Sequence, residues 1–309
     1  MLTRKTLGGV SLLLLAGMLA ACLWPFNPFP ANEARWVADG PGLEFRRHGI
    51  VVAAGPFRFP ESAPEGTASL EVFLQPALTE DQNTILAVSA PGNPLGLELQ
   101  QYYDELLVRR RFRDEQGQRR VAMLEVERVF RAGQPVLLAI VAGREATAVY
   151  VDGKKRASGG RLRLTRADFA GRLVFGTSPT HSAPWRGRLL GLALYGRELG
   201  AAEAARNHSR WRRGKPPEEP AALYRFSEGG GSVARDGAGS GPALIIPSNY
   251  RLPDKPVLFW PHWSDLQRLN FWVDVGANIV GFVPFGFFVC GYFASIPARR
   301  PVLLAILAG

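Results

Sequence analysis

The chain has 309 residues, 47% of them hydrophobic and 21% charged, and a formal net charge of +10. That balance excludes a disordered chain and leaves room for one domain of about 200 residues beside further segments. Its two cysteines, Cys22 and Cys290, both fall in apolar runs, which excludes a disulfide framework and a cysteine zinc site.

Arg4 and Lys5 precede an apolar run from Leu7 to Trp24, just long enough to span a bilayer. Residues 1–24 are therefore expected to form a first transmembrane helix. Leu19-Ala20-Ala21-Cys22 also reads as a lipobox, in which case the segment is a cleaved signal and Cys22 carries a lipid. A proline-rich linker, 25–33, follows.

From 34 to 246 the pattern is short apolar runs separated by Gly, Pro and Asn, the pattern of an all-β sandwich. Leu70, Val72 and Leu74 alternate with Glu71, which the pleat turns outward; Leu97 and Leu99 alternate with Glu98 and Gln100, and Leu124 and Val126 with Glu125 and Glu127. Val136 to Val141 is apolar throughout, as a strand covered on both faces requires. Ala146 to Val151 runs into Asp152-Gly153, a tight hairpin turn, and strands at Leu173 to Gly176 and Leu190 to Tyr195 follow. A helix is predicted from Gly200 to Arg213, stopped by Gly214, with Ala201, Ala204, His208 and Trp211 packed on the sandwich. Leu223 to Phe226 returns one more strand before the glycine-rich turn Gly229-Gly230-Gly231.

The strand Ala68 to Pro76, the turn Val149 to Lys154, Trp185-Arg186-Gly187 leading into Leu190 to Tyr195, the short helix and Tyr224 to Gly229 together resemble the concanavalin A-like, laminin G-like sandwich family. The resemblance implies a jelly roll with one short helix, and covers lectin-like binders, enzymes and inert spacers alike. Glu125 and Glu127 would stand about 7 Å apart on one face. The resembling glycosidases, however, carry Glu-x-Asp-x-x-Glu, and here Arg128, Val129 and Phe130 follow instead of a third acid. The expectation is a non-enzymatic domain, with a glycan-active enzyme and a structural spacer as alternatives. Binding is assigned to Tyr102, Tyr103, Trp185 and Arg186, since aromatics stack on sugar faces and arginine grips acidic groups; for Trp185 the other reading is a core residue. The histidines His48, His181, His208 and His262 are scattered, so no zinc site is expected. No cofactor is expected either, although Asp39, Asp168 or Asp236 could serve calcium from loops.

After an interfacial linker, 247–270, the stretch 271–296 has no charge beyond Asp274 and reads as a transmembrane helix. In it Asp274, Asn278, Phe282, Pro284, Gly286 and Phe287 match the D-x-x-x-N-x-x-x-F-x-P-x-G-F pattern of the VanZ-like membrane family, which the segment resembles. That resemblance implies a link to glycopeptide (teicoplanin) resistance. Asp274 and Asn278 share a helical face, and Asn278 is expected to meet the first span. Pro301 to Gly309 reads as the start of a further helix, so the remaining VanZ-like helices are expected to be missing. Cations at both ends and tryptophans inside them (Trp24, Trp260, Trp263, Trp272) place both ends in a bacterial cytoplasm and the sandwich outside it. Without the terminal Arg4, Lys5, Arg299 and Arg300, the +10 falls to +6. A mildly basic domain outside the membrane suits membrane lipid, an envelope glycan or peptidoglycan as partner, with nucleic acid out of reach.

Overall fold

Short apolar runs at period two fold here into sixteen strands, among the residues that the computed structural model describes: 3–23, 29–60, 66–80, 82–91, 93–255 and 269–294. In chain order they are β1 (Arg35–Trp36), β2 (Leu43–Phe45), β3 (Val51–Ala53), β4 (Ala68–Pro76), β5 (Gln82–Ala90), β6 (Asn93–Tyr102), β7 (Glu105–Arg113) and β8 (Arg119–Val126). The second half supplies β9 (Val136–Ala142), β10 (Thr147–Val151), β11 (Lys154–Gly159), β12 (Arg172–Phe175), β13 (Gly187–Tyr195), β14 (Ala222–Tyr224), β15 (Val233–Ala234) and β16 (Leu244–Ile245). They form two antiparallel sheets. The first runs β1-β2-β13-β4-β9-β10-β11, with β14 on β13; the second runs β15-β16-β3-β12-β5-β6-β7-β8.

One core lies between the sheets. Leu70, Val72 and Leu74 of β4 meet Leu97 and Leu99 of β6 and Leu106 and Val108 of β7, all fully buried. The expected alternation therefore holds on both sheets. Every residue of β9 is buried, as its unbroken apolar run requires. At the β10–β11 turn Asp152 and Gly153 both take positive φ (50° and 75°), the geometry of a two-residue hairpin turn. Gly153 is needed twice over, because a Cβ there would come within 2.7 Å of Ala205 in the helix that crosses the turn.

That helix, α2 (Ala201–Arg212), covers the outer face of the first sheet. Its buried side chains are Ala204, Asn207 and Trp211, while Ala201 is exposed, against the expectation that it would pack. Glu71 corrects the expectation further. The pleat does turn it away from the core, but α2 closes over it and leaves it fully buried. Its carboxylate accepts hydrogen bonds from Tyr195 Oη (2.9 Å), Trp211 Nε1 (3.0 Å) and Asn207 Nδ2 (2.9 Å). Three donors satisfy what would otherwise be a costly buried acid.

Phe29–Pro256 is one compact unit. Its two ends run side by side: Asn32 Nδ2 donates to Ile50 O and Pro247 O, both at 2.8 Å, and Asn32 Oδ1 accepts from Ala34 N and Ile50 N. Ala31 also bridges to Asn249. Chain enters and leaves the sandwich at one place.

The terminal segments form a second unit, containing α1 (Arg4–Leu23) and α3 (Leu269–Ala294). The two helices pack where Gly8 faces the Tyr292 ring and Leu7 faces Gly291; a Cβ on Gly8 would stand 3.0 Å from that ring. Among the described residues no helix is long and apolar enough to cross a membrane. The two spans read from the sequence are thus not supported. In α1 the apolar part begins only at Leu7 and contains three glycines, and at 1.5 Å per residue its length falls short of the roughly 30 Å of hydrocarbon. Phe282, Pro284 and Gly286 are exposed on α3, whose helix continues through Pro284. The side chains of Cys22, Asp274 and Asn278 lie outside the described residues, as do Trp24, Trp260, His262, Trp263, Arg299, Arg300 and the run from Pro301.

Burial pushes the Glu71 carboxyl up from its ordinary value, while the Asn207, Trp211 and Tyr195 donors pull it back only in part. With the folded value above the unfolded one, its contribution to stability is full below the ordinary carboxylate range and is lost as pH rises through the raised value. Glu71→Gln keeps acceptor and donor without the charge. Urea denaturation across pH 4 to 8 should show this variant gaining on the wild type as pH rises, whereas Glu71→Ala, which orphans three donors, should lose about 3 kcal/mol or more throughout. A pH-independent gap between Glu71→Gln and wild type would contradict the buried-acid account.

Candidate functional site

The two-residue turn between β6 and β7 gathers the residues that the sequence assigned to binding. Tyr102 and Tyr103 are 38% and 50% exposed, with ring centroids 4.8 Å apart in an edge-to-face pair. Tyr103 sits at φ 53°, a left-handed conformation that costs a bulky residue roughly 1–2 kcal/mol, and carries its ring out into solvent. Trp185 lies beneath them and not beside them. It is 1% exposed, and its Nε1 donates to Gln101 Oε1 at 2.8 Å. Gln101 Nε2 in turn donates to Leu78 O and Tyr103 O, so Trp185 fixes the turn that presents the tyrosines. Its assignment as a stacking residue is corrected: a ring with no open face cannot stack on a ligand. Arg186 is half-buried nearby, its carbonyl accepting from Ala77 N at 3.0 Å.

A second feature was not singled out from the sequence. Arg109, Arg111 and Arg113 alternate along β7 and so share its outer face, the face opposite to Leu106 and Val108. The register pairs Arg109 with Met123, Arg111 with Val121 and Arg113 with Arg119 across β8. Val121 and Met123 are 53% and 46% exposed. Where this ribbon meets the β5–β6 turn there is a cleft of about 430 Å³, lined by Pro91, Asn93 and Leu95 together with residues 111–113 and 119–121, which come from both faces of the ribbon. The signal was present in Arg109-Arg110-Arg111-Phe112-Arg113 and Arg119-Arg120, where period two places every second arginine on one side.

The charges around the cleft are unevenly compensated. Arg120 Nε donates to Asp114 Oδ2 at 2.8 Å, and this arginine, with backbone donors at Gln118 and Gln116, holds the Asp114 carboxyl below its ordinary value. Arg111 Nε stands 3.4 Å from Glu98 Oε2, an ion pair without hydrogen-bond alignment, and both oxygens of the fully buried Glu98 lack a hydrogen-bond partner among the described residues. Arg109 donates to Gln100 Oε1 at 3.0 Å. At the far end of the ribbon Glu105 has its carboxyl raised, by desolvation first and then by a hydrogen bond shared with Glu125, with Glu127 adding to the repulsion. Glu125 and Glu127 are exposed on β8, without the third acid of the sandwich glycosidases. Among the described residues no group of three His, Cys, Asp or Glu could hold a metal ion. Of the loop acids considered for calcium, Asp168 pairs with Arg110 and Asp236 accepts from the backbone of Leu223, Ala238 and Gly241.

Residues 53–205 match the family model described as the concanavalin A-like lectin/glucanases superfamily. The sandwich is a concanavalin A-like, laminin G-like domain. Among solved structures, the chain is similar to a Bacteroides ovatus protein provisionally assigned to carbohydrate binding (13% identity, TM-score 0.44, covering 70% of this chain and 62% of that one). A SAP-like pentraxin from Limulus polyphemus (13%, TM-score 0.39, 65% and 96%) and the CBM40 of a Ruminococcus gnavus IT-sialidase (14%, TM-score 0.40, 54% and 95%) are similar too. The chain spans less than two thirds of the Bacteroides protein and under half of the botulinum neurotoxin binding domains it also matches. Comparison with the curated proteins gave no match, and no VanZ-like family was found.

A buried indole that supports a turn makes a separable prediction. Trp185→Ala should cost the concanavalin A-like domain about 3–5 kcal/mol in urea denaturation, the loss expected for a truncated core aromatic. Unchanged stability would show that the ring is not part of the core.

Proposed function

We propose that this chain is a non-catalytic glycan-binding protein of the bacterial envelope, with its ligand lying along the outer face of β7 and β8. The observation that carries the reading is the open ribbon itself. Over parts of both sheets the outer face is occupied: α2 lies over Glu71, Ala193 and Tyr195 of the first, and Tyr250 packs with Ile50 and Val174 on the second while Asp254 bonds Ser89. On β7–β8 exposed Val121 and Met123 lie beside arginines and beside a cleft, the mix of apolar surface and few polar groups that a sugar chain needs. β7 alone is about 30 Å long at 3.4 Å per residue, room for several sugar units between the cleft and the Tyr102–Tyr103 pair.

The membrane part of the reading rests on the terminal unit. Leu12, Leu13 and Leu19 of α1 and Val280, Val283 and Phe287 of α3 are each more than half exposed, and such surface is stable in lipid or against further helices. The VanZ-like motif around Pro284 fits that placement; a part in glycopeptide resistance would follow only from the motif.

The full chain in neutral detergent should bind envelope polysaccharides or peptidoglycan fragments on a glycan array. Val121→Asp, on an exposed position of β8, should weaken that binding at least tenfold with its thermal midpoint unchanged. Folded wild type that captures no glycan, or a variant that binds as well as wild type, would remove the ribbon as the binding surface.

A further inference from the structure

We infer that the ligand of the β7–β8 face is an anionic polysaccharide, its acid groups held between Arg113 and Arg119. This rests on the glycan reading above and narrows it to one chemical class. Arg113 and Arg119 are direct cross-strand partners, so their side chains leave the same face from Cα atoms about 5 Å apart. Like charges placed directly opposite on neighbouring strands destabilise the pair. The Arg113 side chain gives one bond, from Nη1 to Gly117 O at 3.0 Å, and the Arg119 side chain makes no hydrogen bond or ion pair among the described residues. Their neighbours have partners: Asp114 compensates Arg120, and Glu98 compensates Arg111. Of the four arginines that line the cleft, the two without a carboxylate partner are thus the two that repel each other.

A carboxylate or phosphodiester between them turns that repulsion into two charge-assisted, fork-shaped contacts. Val121 stands opposite Arg111 and Met123 opposite Arg109, so the next sugar of the chain finds an apolar strip beside further cations. Polarity along the ribbon sets the limit. Glu105, Glu125 and Glu127 crowd its other end and repel a polyanion there, which holds the acid groups at the arginine end. A flat anionic bilayer would also attract arginines, but these line a recess that Pro91, Asn93 and Leu95 share, and a chain enters a recess more readily than a lipid surface does.

The test uses the full chain in neutral detergent and fluorescence anisotropy with four probes: labelled oligogalacturonate, its carboxyl-reduced neutral counterpart, poly(glycerol phosphate), and micelles doped with labelled phosphatidylglycerol. Oligogalacturonate and poly(glycerol phosphate) should bind, and the reduced sugar at least tenfold more weakly. Arg119→Gln and Arg113→Gln should each weaken the anionic probes roughly tenfold, the loss of one charge-assisted contact. Their thermal midpoints should equal or exceed the wild type, because each removes half of a repulsive pair; a variant that merely misfolds would lose both. Equal binding of the reduced sugar would overturn the acidic class and leave glycan binding standing. Binding of phosphatidylglycerol alone would make the ribbon a membrane patch, and binding of no probe would overturn both readings.

Discussion

The arrangement depends on one buried acid. Glu71 sits in the middle of β4, between β13 and β9, and its carboxylate holds Tyr195 from the neighbouring strand and Asn207 and Trp211 from α2. A buried carboxyl is tolerable only when donors surround it, and those donors fix where the helix lies. Gly191 is part of the same fit: a Cβ there would come within 2.3 Å of the Trp211 ring, so the strand opens to let the indole in. Polar contacts thus orient α2, and apolar burial of Trp211, Ala204 and Leu199 supplies most of its hold on the sheet.

The consequence for function is an asymmetry. A sandwich has two outer faces, and here α2 covers the middle of one while the edge strands of the second, β7 and β8, keep theirs open. The fold spends its neutral and acidic groups on closure, at Glu71, Ser89 with Asp254, and Thr177 with Tyr250. It leaves cations on the open ribbon, at Arg109, Arg111, Arg113 and Arg119. Positive charge gathered at one end of the ribbon, with Glu105, Glu125 and Glu127 at the other, steers an oppositely charged partner and specifies its register more than it adds raw affinity.

Much of the sandwich was legible because period two is a local signal. Leu70-Val72-Leu74 and Leu97-Leu99 needed no knowledge of their partners to be placed inward, and the Asp152-Gly153 turn announced itself by its residue types. The strands β1, β2 and β3 were not read, since two or three residues carry no period and are defined only by the strands they join. Glu71 is legible only as outward-facing for a related reason: the strand says which way a side chain points, and only the returning helix says what covers that side. Trp185 and Gln101 became neighbours through pairing across 84 residues of sequence, which no spacing rule reports. The arginine ribbon was visible as composition but not as a site, because the opposition of Arg113 to Arg119 exists only once the hairpin register is known.

The claim that ties these points together is that ligand lies on the β7–β8 face. Hydrogen–deuterium exchange of the full chain, with and without saturating oligogalacturonate, tests it directly. The account requires added protection concentrated in residues 109–123, with the β10 and α2 segments unchanged. Protection centred instead on the separate cleft near Gly143, Arg144 and Arg163, or on the Tyr102–Tyr103 turn alone, would contradict it.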